Sequence, residues 1–177
     1  MAQAQTTVVV AFSSRCGATE ALALAAAVGA VQGRALIRLR RLPDDGAPPG
    51  ERDSPECREA LSRMRKEYVP PTEADIAGND ALIIAPPAGS SPGSTEWAVF
   101  CDMLARLGAA GKLAGKVGAV VDTGDDATLR TFSSLIASAG FRSVPPDAAA
   151  AASPGDRARR ATACGRRVAA GAGSSAG

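Results

Sequence analysis

The chain has 177 residues, of which 46% are apolar and only 3% aromatic, and its 20 basic and 18 acidic side chains leave a formal net charge of +2. This length suits one domain with an aliphatic core, and the near-neutral charge does not indicate a nucleic-acid partner. The sequence contains no His, which excludes His-based nucleophilic catalysis and removes the commonest metal ligand.

The four cysteines are far apart in the sequence and form no CxxC pair, so neither a metal site nor a thioredoxin-type motif is predicted. We expect them to be free thiols of a soluble cytoplasmic protein. No signal-like segment opens the chain, and no apolar run approaches the ~20 residues that a membrane span requires, so no membrane partner is predicted.

Strands and helices are predicted to alternate through the first half of the chain. Residues 7–12 are a continuous β-branched run, typical of a buried parallel strand, and residues 19–31 form a helix with a wide apolar face. A second strand over 35–42 alternates Leu and Ile with three arginines, which predicts a solvated sheet edge. Residues 43–53, rich in Pro and Gly, are predicted to be a flexible loop.

The next predicted helix begins at Ser54-Pro55-Glu56, which supplies a cap, a first-turn proline and an acid, and Pro70-Pro71 ends it. A third buried strand over 80–85 leads into a loop of small residues. The helix predicted at 95–107 has Trp97 on its apolar stripe, which favours core packing over contact with a ligand.

The remaining elements continue the alternation. A fourth strand is predicted at 117–121, a helix at 127–139 and a short fifth strand at 141–144. An arginine-rich helix over 156–169 is predicted to face solvent or another subunit, and residues 171–177, made only of Gly, Ala and Ser, should be disordered. Alternating strands and helices predict a single α/β domain over 1–170 with a doubly wound parallel sheet.

Three loops after the predicted central strands are built from Gly and small hydroxylated residues. Ligands of open parallel sheets bind outside the carboxyl ends of the strands. The first loop combines a close-approach backbone, hydroxyl donors and a helix N-terminus, which together suit a phosphate group. Neither GxGxxG nor GxxxxGK[ST] is present there, and an ordinary strand-to-helix turn is the alternative. The residues of this loop are Ser13, Ser14, Arg15, Cys16, Gly17, Ala18 and Thr19.

The order of these segments resembles the flavodoxin-like NAD(P)H:quinone oxidoreductases historically called Trp-repressor-binding proteins. The resemblance implies a flavodoxin-like sheet of five parallel strands in the order 2-1-3-4-5 with helices on both faces, FMN as cofactor, and a homo-oligomer, either dimer or tetramer. The similar segments are Val8 to Ala25, Leu39 to Asp44, Asp75 to Pro87, Phe100 to Asp102, Val117 to Gly124 and Arg159 to Ala169.

By the same resemblance, residues 14–19 would hold the FMN phosphate, and two further loops would flank the isoalloxazine ring. The flavin would take hydride from NAD(P)H and pass two electrons to a quinone, so no catalytic side chain is implied. In a departure from the family, which tends to continue with glycines after Thr123-Gly124, Asp125-Asp126 would bring two carboxylates towards the cofactor. The flanking residues are Pro87, Ala88, Gly89, Ser90, Ser91, Thr123, Gly124 and Asp125.

Two departures from the family, the carboxylates of Asp125-Asp126 and the loop after the third strand, motivate an alternative function. Where the family usually places Thr-Arg-Phe-Gly after the third strand, this chain has Ala88-Gly89-Ser90-Ser91, without an aromatic or guanidinium group. The alternative is a flavodoxin-fold protein with weakened or lost FMN binding that acts as a binding or assembly partner. An electron-carrier flavodoxin is disfavoured, because such carriers are usually strongly acidic and hold the ring between aromatic side chains.

Overall fold

The computed structural model describes residues 5–44, 53–146 and 153–174. Most of the loop predicted at 43–53 therefore lies outside the described residues. No helix in these ranges is long and apolar enough to cross a membrane. The elements, in chain order, are β1 (Thr7–Phe12), α1 (Ala18–Gln32), β2 (Leu36–Arg41), α2 (Pro55–Glu67), α3 (Glu73–Ala77), β3 (Ala81–Ala85), α4 (Thr95–Ala109), β4 (Val117–Val120), α5 (Asp126–Ser138), β5 (Arg142–Ser143) and α6 (Pro154–Gly173).

All five strands are parallel and lie in the order β2-β1-β3-β4-β5, which confirms the predicted fold class and strand order. At the carboxyl end of the sheet, Phe12 of β1 pairs with Arg41 of β2 on one side and with Ala85 of β3 on the other. The chain winds in opposite directions from β1 and β3. The loops that follow these two strands therefore begin side by side, where strand order reverses.

The core has two parts, one on each face of the sheet. Side chains of α1, α2 and α6 pack on one face, and side chains of α3, α4 and α5 pack on the other. Within β1, Val8 and Val10 belong to the first cluster, whereas Val9 and Ala11 belong to the second. Burial on both faces explains why this strand reads as a continuous apolar run rather than an alternating one.

Helices α1 and α6 approach each other at backbone distance. A Cβ on Gly29 would lie 1.9 Å from the carbonyl oxygen of Thr162, and one on Gly165 would lie 1.9 Å from that of Ala26. Only a residue without a side chain fits at either position. This contact fixes α1, and with it the loop that precedes α1, against the C-terminal helix.

Helix α6 is longer than predicted and reaches Gly173, so the prediction of disorder is wrong for residues 171–173. The last turns are held because Ala169 and Ala172 are buried against the core and because Arg142 Nη2 donates to the carbonyl of Gly171 at 2.7 Å. Residues 175–177 lie outside the described part of the chain.

Helix α3 was not predicted, because five residues are too few to show a helical period. Its signal is a capping box, in which Thr72 Oγ1 accepts from the Asp75 N–H and the Asp75 carboxylate accepts from the Thr72 N–H. Trp97 is 1% exposed and makes edge contacts with Phe100 and Phe132, which confirms that it packs in the core.

The prediction of a solvated edge for β2 is wrong for two of its three arginines. Arg40 donates to both carboxylate oxygens of Asp75, at 2.9 and 2.8 Å, and Arg41 has only 7% of its side chain exposed. Arg38 alone keeps more than half of its side chain in solvent. The reason is that α3 and the loop after β2 supply carboxylates beside the strand, which the alternating pattern could not show.

Candidate functional site

The loop between β1 and α1 is folded around Gly17. This residue has φ of +95°, a left-handed conformation that favours glycine, and it is the N-cap of α1. Its N–H donates to Ser14 Oγ at 3.1 Å, which closes the loop. Gly17 has no side chain to cap α1, so the positive end of the helix dipole and the first-turn N–H groups face the loop without an N-cap side-chain acceptor.

Arg41 places a buried positive charge beside this loop. Its Nη2 donates to the Ser14 carbonyl at 3.0 Å and to Asp44 Oδ2 at 2.8 Å. Its Nε is buried and has no hydrogen-bond partner among the described residues. Sequence reasoning missed this residue. The available signal is its position as the last residue of the strand next to β1, at the edge where the loops converge.

Glu20, in the first turn of α1, is a buried carboxylate close to the same loop. It accepts from Arg63 Nη1 and Nη2 at 2.9 and 2.6 Å and from the Tyr68 hydroxyl at 2.7 Å. The Arg63 hydrogen bond, aided by Tyr68, holds the pKa of Glu20 below its usual value against the effect of burial. Burial and the bond to Glu20 raise the pKa of Tyr68 to about 12. The carboxylate stays ionised, but the positive charge of Arg63 compensates its negative charge, which reduces its repulsion of an anion at the loop.

Two adjoining cavities open at this edge of the sheet and share Ala18 and Thr19. The first, about 370 Å³, is lined by Ser13, Ser14, Arg15, Cys16, Ala18, Thr19, Arg41, Asp44, Leu61, Pro87, Ser90 and Glu96. The second, about 410 Å³, is lined by Ala18, Thr19, Ala21, Leu22, Ala88, Thr123, Pro154, Arg157 and Ala158. We call them the loop cavity and the helix cavity. The structure thus brings residues from all three predicted loops together.

The loops after β3 and β4 are tied to each other by hydrogen bonds. The Gly89 N–H lies 3.1 Å from Asp125 Oδ2 and 3.0 Å from Thr128 Oγ1 and donates to both, and Thr123 Oγ1 donates to the Pro86 carbonyl at 2.7 Å. Asp125 is also the N-cap of α5. The Thr128 hydroxyl and the Gly89 N–H hold the pKa of Asp125 below its usual value. Asp125 therefore stays ionised and shapes the Gly89 loop.

Some predicted site residues do not line either cavity. Three of them, Gly17, Gly89 and Gly124, have a positive φ, which allows the backbone to turn beside the cavities. The residues in this group are Gly17, Gly89, Ser91, Gly124 and Asp125.

Two arginines of α6 also belong to this edge of the sheet. Arg157 lines the helix cavity beside Gly124, and Arg160 forms an ion pair with Asp122 at 3.2 Å, with both side chains less than a fifth exposed. The expectation that the arginines of this helix face solvent or another subunit is wrong for Arg160, which pairs within the chain, whereas Arg157 is half-buried. The N-terminal half of α6 passes the loop after β4, a long-range contact with no local signal in the sequence.

The prediction of four free thiols is wrong for two of the cysteines. Cys16, in the loop before α1, forms a disulfide with Cys57 in the first turn of α2. The pair is separated by 41 residues, so no local spacing could reveal it. It forms because the start of α2 lies beside the β1–α1 loop. Cys101 and Cys164 are thiols outside any disulfide, as predicted.

The sheet has five parallel strands whose order along the sheet reverses between β1 and β3, and loops of small residues lie at that point. These features make this chain a flavodoxin-fold protein. The chain matches no family model. Among curated proteins it is similar to NAD(P)H dehydrogenase (quinone) 3 of Rhizobium meliloti (strain 1021), with 33% identity over 115 residues, which are 65% of this chain and 51% of that protein. The chain thus spans about half the length of this relative.

Solved structures agree on the fold. A WrbA-like flavodoxin from Agrobacterium tumefaciens superposes with a TM-score of 0.62 at 23% identity, covering 95% of this chain and 98% of that one. The two-electron reduced flavodoxin of Megasphaera elsdenii gives a TM-score of 0.60 at 18% identity, covering 92% and 98%. The Rhizobium meliloti relative confirms the resemblance to the quinone oxidoreductases, and the solved structures confirm the flavodoxin-like fold.

Proposed function

We propose that this chain is an FMN-binding oxidoreductase that passes electrons from NAD(P)H to a quinone-like acceptor. The proposal is carried by the loop at the N-terminus of α1, residues 13–19, which we call the anion seat. There a left-handed Gly17 and a helix N-terminus without a side-chain cap lie beside the buried Arg41, which lines the loop cavity. The name of the Rhizobium meliloti relative supports the reaction class.

The residues of the loop cavity suit a phosphate monoester. Ser14 and Thr19 offer hydroxyl donors, the first turn of α1 offers N–H groups, and Arg41 has a buried Nε with no partner among the described residues. An orphaned buried donor costs free energy, and an anion in the cavity would relieve that cost. We propose that residues 13–19 hold the FMN phosphate with help from Arg41.

The helix cavity suits an apolar body attached to that phosphate. It shares Ala18 and Thr19 with the loop cavity, and its walls include Leu22, Ala88 and Thr123. Bound FMN would supply the hydride and electron transfer chemistry, while the chain binds and orients it and excludes water. Tethering of Gly89 by Asp125 would hold the loop beside the ring in one shape. We further propose that the working protein is a homo-oligomer.

Turnover tests this proposal directly. The protein is reconstituted with FMN, freed of excess flavin and mixed anaerobically with NADPH or NADH while absorbance near the flavin band is followed. We expect bleaching by one of the nicotinamides and recovery of the band when a benzoquinone is added. Flavin-loaded protein that neither nicotinamide bleaches would contradict the proposed reaction.

The residues that line the helix cavity favour a second candidate function. None of the described residues that line it has an aromatic side chain. Trp97 is committed to the core, and the hydroxyl of Tyr68 is committed to Glu20. A flavodoxin-fold protein with weak or absent FMN binding, acting as a binding or assembly partner, would need no stacking group there. An FMN dissociation constant well above the micromolar range would favour this alternative, and micromolar or tighter binding would exclude it.

A further inference from the structure

The Cys16–Cys57 disulfide lies within the anion seat. Cys16 lines the loop cavity and directly precedes Gly17, the residue that caps α1. Cys57 is in the first turn of α2, where its N–H donates to the N-cap Ser54 Oγ at 3.1 Å. The disulfide therefore joins α2 to the backbone that would contact a phosphate. Of the residues of α2, only Leu61 lines this cavity.

The neighbouring residue makes a second, weaker link to the same segment. Arg15 Nε and Nη2 donate to Asp53 Oδ2 at 3.0 and 2.5 Å, but the Arg15 side chain is 44% exposed. An exposed ion pair is screened and contributes little to stability. Once the disulfide is broken, this exposed pair would still join the loop to the segment before α2, but more weakly than the covalent bond did.

The positions of the two sulfur atoms suit reversible exchange. Cys16 is exposed, whereas Cys57 is 6% exposed. An incoming thiolate can therefore reach Cys16 Sγ, and the positive end of the α2 dipole would stabilise the departing Cys57 thiolate. The Asp53 carboxylate and both sulfurs lie within 4.8 Å of one another, a spacing that could hold a metal ion. Because the sulfurs are bonded to each other and Arg15 occupies Asp53, we infer no cation site.

We propose that Cys16 and Cys57 form a redox switch that sets the order of the loop at the head of α1 and, through it, the affinity for a phosphate-bearing ligand. The ligand part of this inference rests on the proposed function. In the oxidised state the loop is held in the shape that exposes the first-turn N–H groups of α1. In the reduced state the ligand has to order the loop itself, which weakens binding.

A small-molecule disulfide such as glutathione disulfide can oxidise the two protein thiols by thiol–disulfide exchange. The Cys16 thiolate attacks one sulfur of the small molecule and releases its first thiolate. The Cys57 thiolate then attacks Cys16 Sγ and releases the second. The two protein thiols lose two electrons and two protons in total, and the small molecule becomes two thiols.

The first test uses ligand-free protein and does not depend on flavin. Thiol titration should count two free thiols in the oxidised chain and four after reduction, and glutathione redox buffers should interconvert the states. Amide hydrogen exchange in peptides spanning 13–20 should be about tenfold faster in the reduced protein, the scale set by the ordering entropy of about one residue. A pair that excess glutathione leaves oxidised, or equal exchange rates in the two states, would overturn the switch.

The second test measures ligand affinity. FMN should bind the oxidised protein about tenfold more tightly than the reduced protein, whereas riboflavin, which lacks the phosphate, should show no redox dependence. The double variant Cys16→Ser/Cys57→Ser should match the reduced protein with and without reductant. Reduction of the unmutated chain gives the same comparison if that variant fails to fold.

A matched control and the ligand titration separate the two hypotheses. Cys101→Ser removes a free cysteine on α4 and should keep the full redox effect. FMN affinity that is equal in both states, or higher after reduction, would overturn the switch while leaving the proposed function intact. If FMN binds neither state but loop exchange still follows the redox state, the proposed function fails and control of loop order by the disulfide stands.

Discussion

At the scale of single residues, the anion seat depends on the charge of Arg41 and on the neutralisation of Glu20. Arg41 has a buried guanidinium beside the Ser14 carbonyl and shares Asp44 with Arg65. Glu20 sits in the first turn of α1, where a bare carboxylate would oppose a phosphate, but Arg63 and Tyr68 bind it. We therefore expect a substitution of Arg41 to change the affinity for FMN and a substitution of Glu20 to change the free energy of unfolding.

Replacing Arg41 with Met keeps the aliphatic stem and removes the charge. We expect FMN to bind about 10- to 100-fold more weakly, since a hydrogen bond to a charged group contributes roughly 1.5–3 kcal/mol. Riboflavin binding should change little, because it has no phosphate. Fluorescence titration of both flavins measures the effect. Arg38→Met on the same strand is the control and should bind FMN normally, and equal losses in both variants would contradict the assignment.

Replacing Glu20 with Gln should destabilise the fold in a pH-dependent way. The folded state lowers the pKa of Glu20, so its contribution is complete above the unfolded pKa of about 4.3 and is lost as pH falls through the lower folded value. We expect the variant to lose about 1–3 kcal/mol of unfolding free energy at pH 7, with a smaller difference at pH 3. Urea unfolding at several pH values measures this.

The control for that substitution is Glu59→Gln, which removes an exposed carboxylate from α2. Its unfolding free energy should stay within about 0.5 kcal/mol of the parent at pH 7. A Glu20→Gln deficit that stays constant from pH 7 to pH 3 would show that packing, rather than the ionised carboxylate, is responsible.

At the scale of elements, the contact between α1 and α6 fixes the head of α1. Gly29→Ala places a methyl group 1.9 Å from the Thr162 carbonyl oxygen, which cannot be relieved by rotating a side chain. We expect a loss of about 3 kcal/mol in unfolding free energy, at the upper end of the usual cost of overpacking. Gly171→Ala in α6 meets only Val117 methyl groups, at 3.7 Å and beyond, and should be neutral or stabilising. Equal effects of the two substitutions in urea unfolding would contradict close backbone packing.

The loop after β3 is held by hydrogen bonds of its own, such as that from the Ser90 N–H to the Pro87 carbonyl at 3.0 Å, and by the N-cap of α5. Asp125→Ala removes the cap of α5 and one of the two acceptors of the Gly89 N–H together. We expect faster amide exchange over residues 87–91 and weaker binding of both FMN and riboflavin. Asp126→Ala, one residue further on and exposed, should leave that loop protected. Unchanged exchange in the Asp125→Ala protein would show that Thr128 alone holds Gly89.

At the scale of the whole molecule, most of the framework could be predicted from the sequence. The apolar run of β1 indicated a strand buried on both faces, and the Ser54-Pro55-Glu56 signal located the start of α2. These patterns are local, because each depends on side chains within one turn or one strand. Resemblance to a known family then gave the strand order, which the structure confirms.

The features that the sequence did not reveal depend on contacts between distant segments. Burial of Arg41 follows from the pairing of β2 beside the β1 loop, and the position of Arg160 follows from the passage of α6 past Asp122. The disulfide joins residues 41 positions apart. Local periodicity carries no information on such pairs, so the predicted loops were placed correctly at one edge while their charged and covalent partners were not identified.

The most direct test of the central claim is a fluorescence titration of FMN and riboflavin with the oxidised protein. The anion seat at residues 13–19 predicts quenching of FMN fluorescence that saturates near one equivalent with a micromolar or tighter dissociation constant, and clearly weaker binding of riboflavin. Absence of FMN quenching, or equal affinity for the two flavins, would contradict the claim that this loop binds the phosphate of a flavin nucleotide.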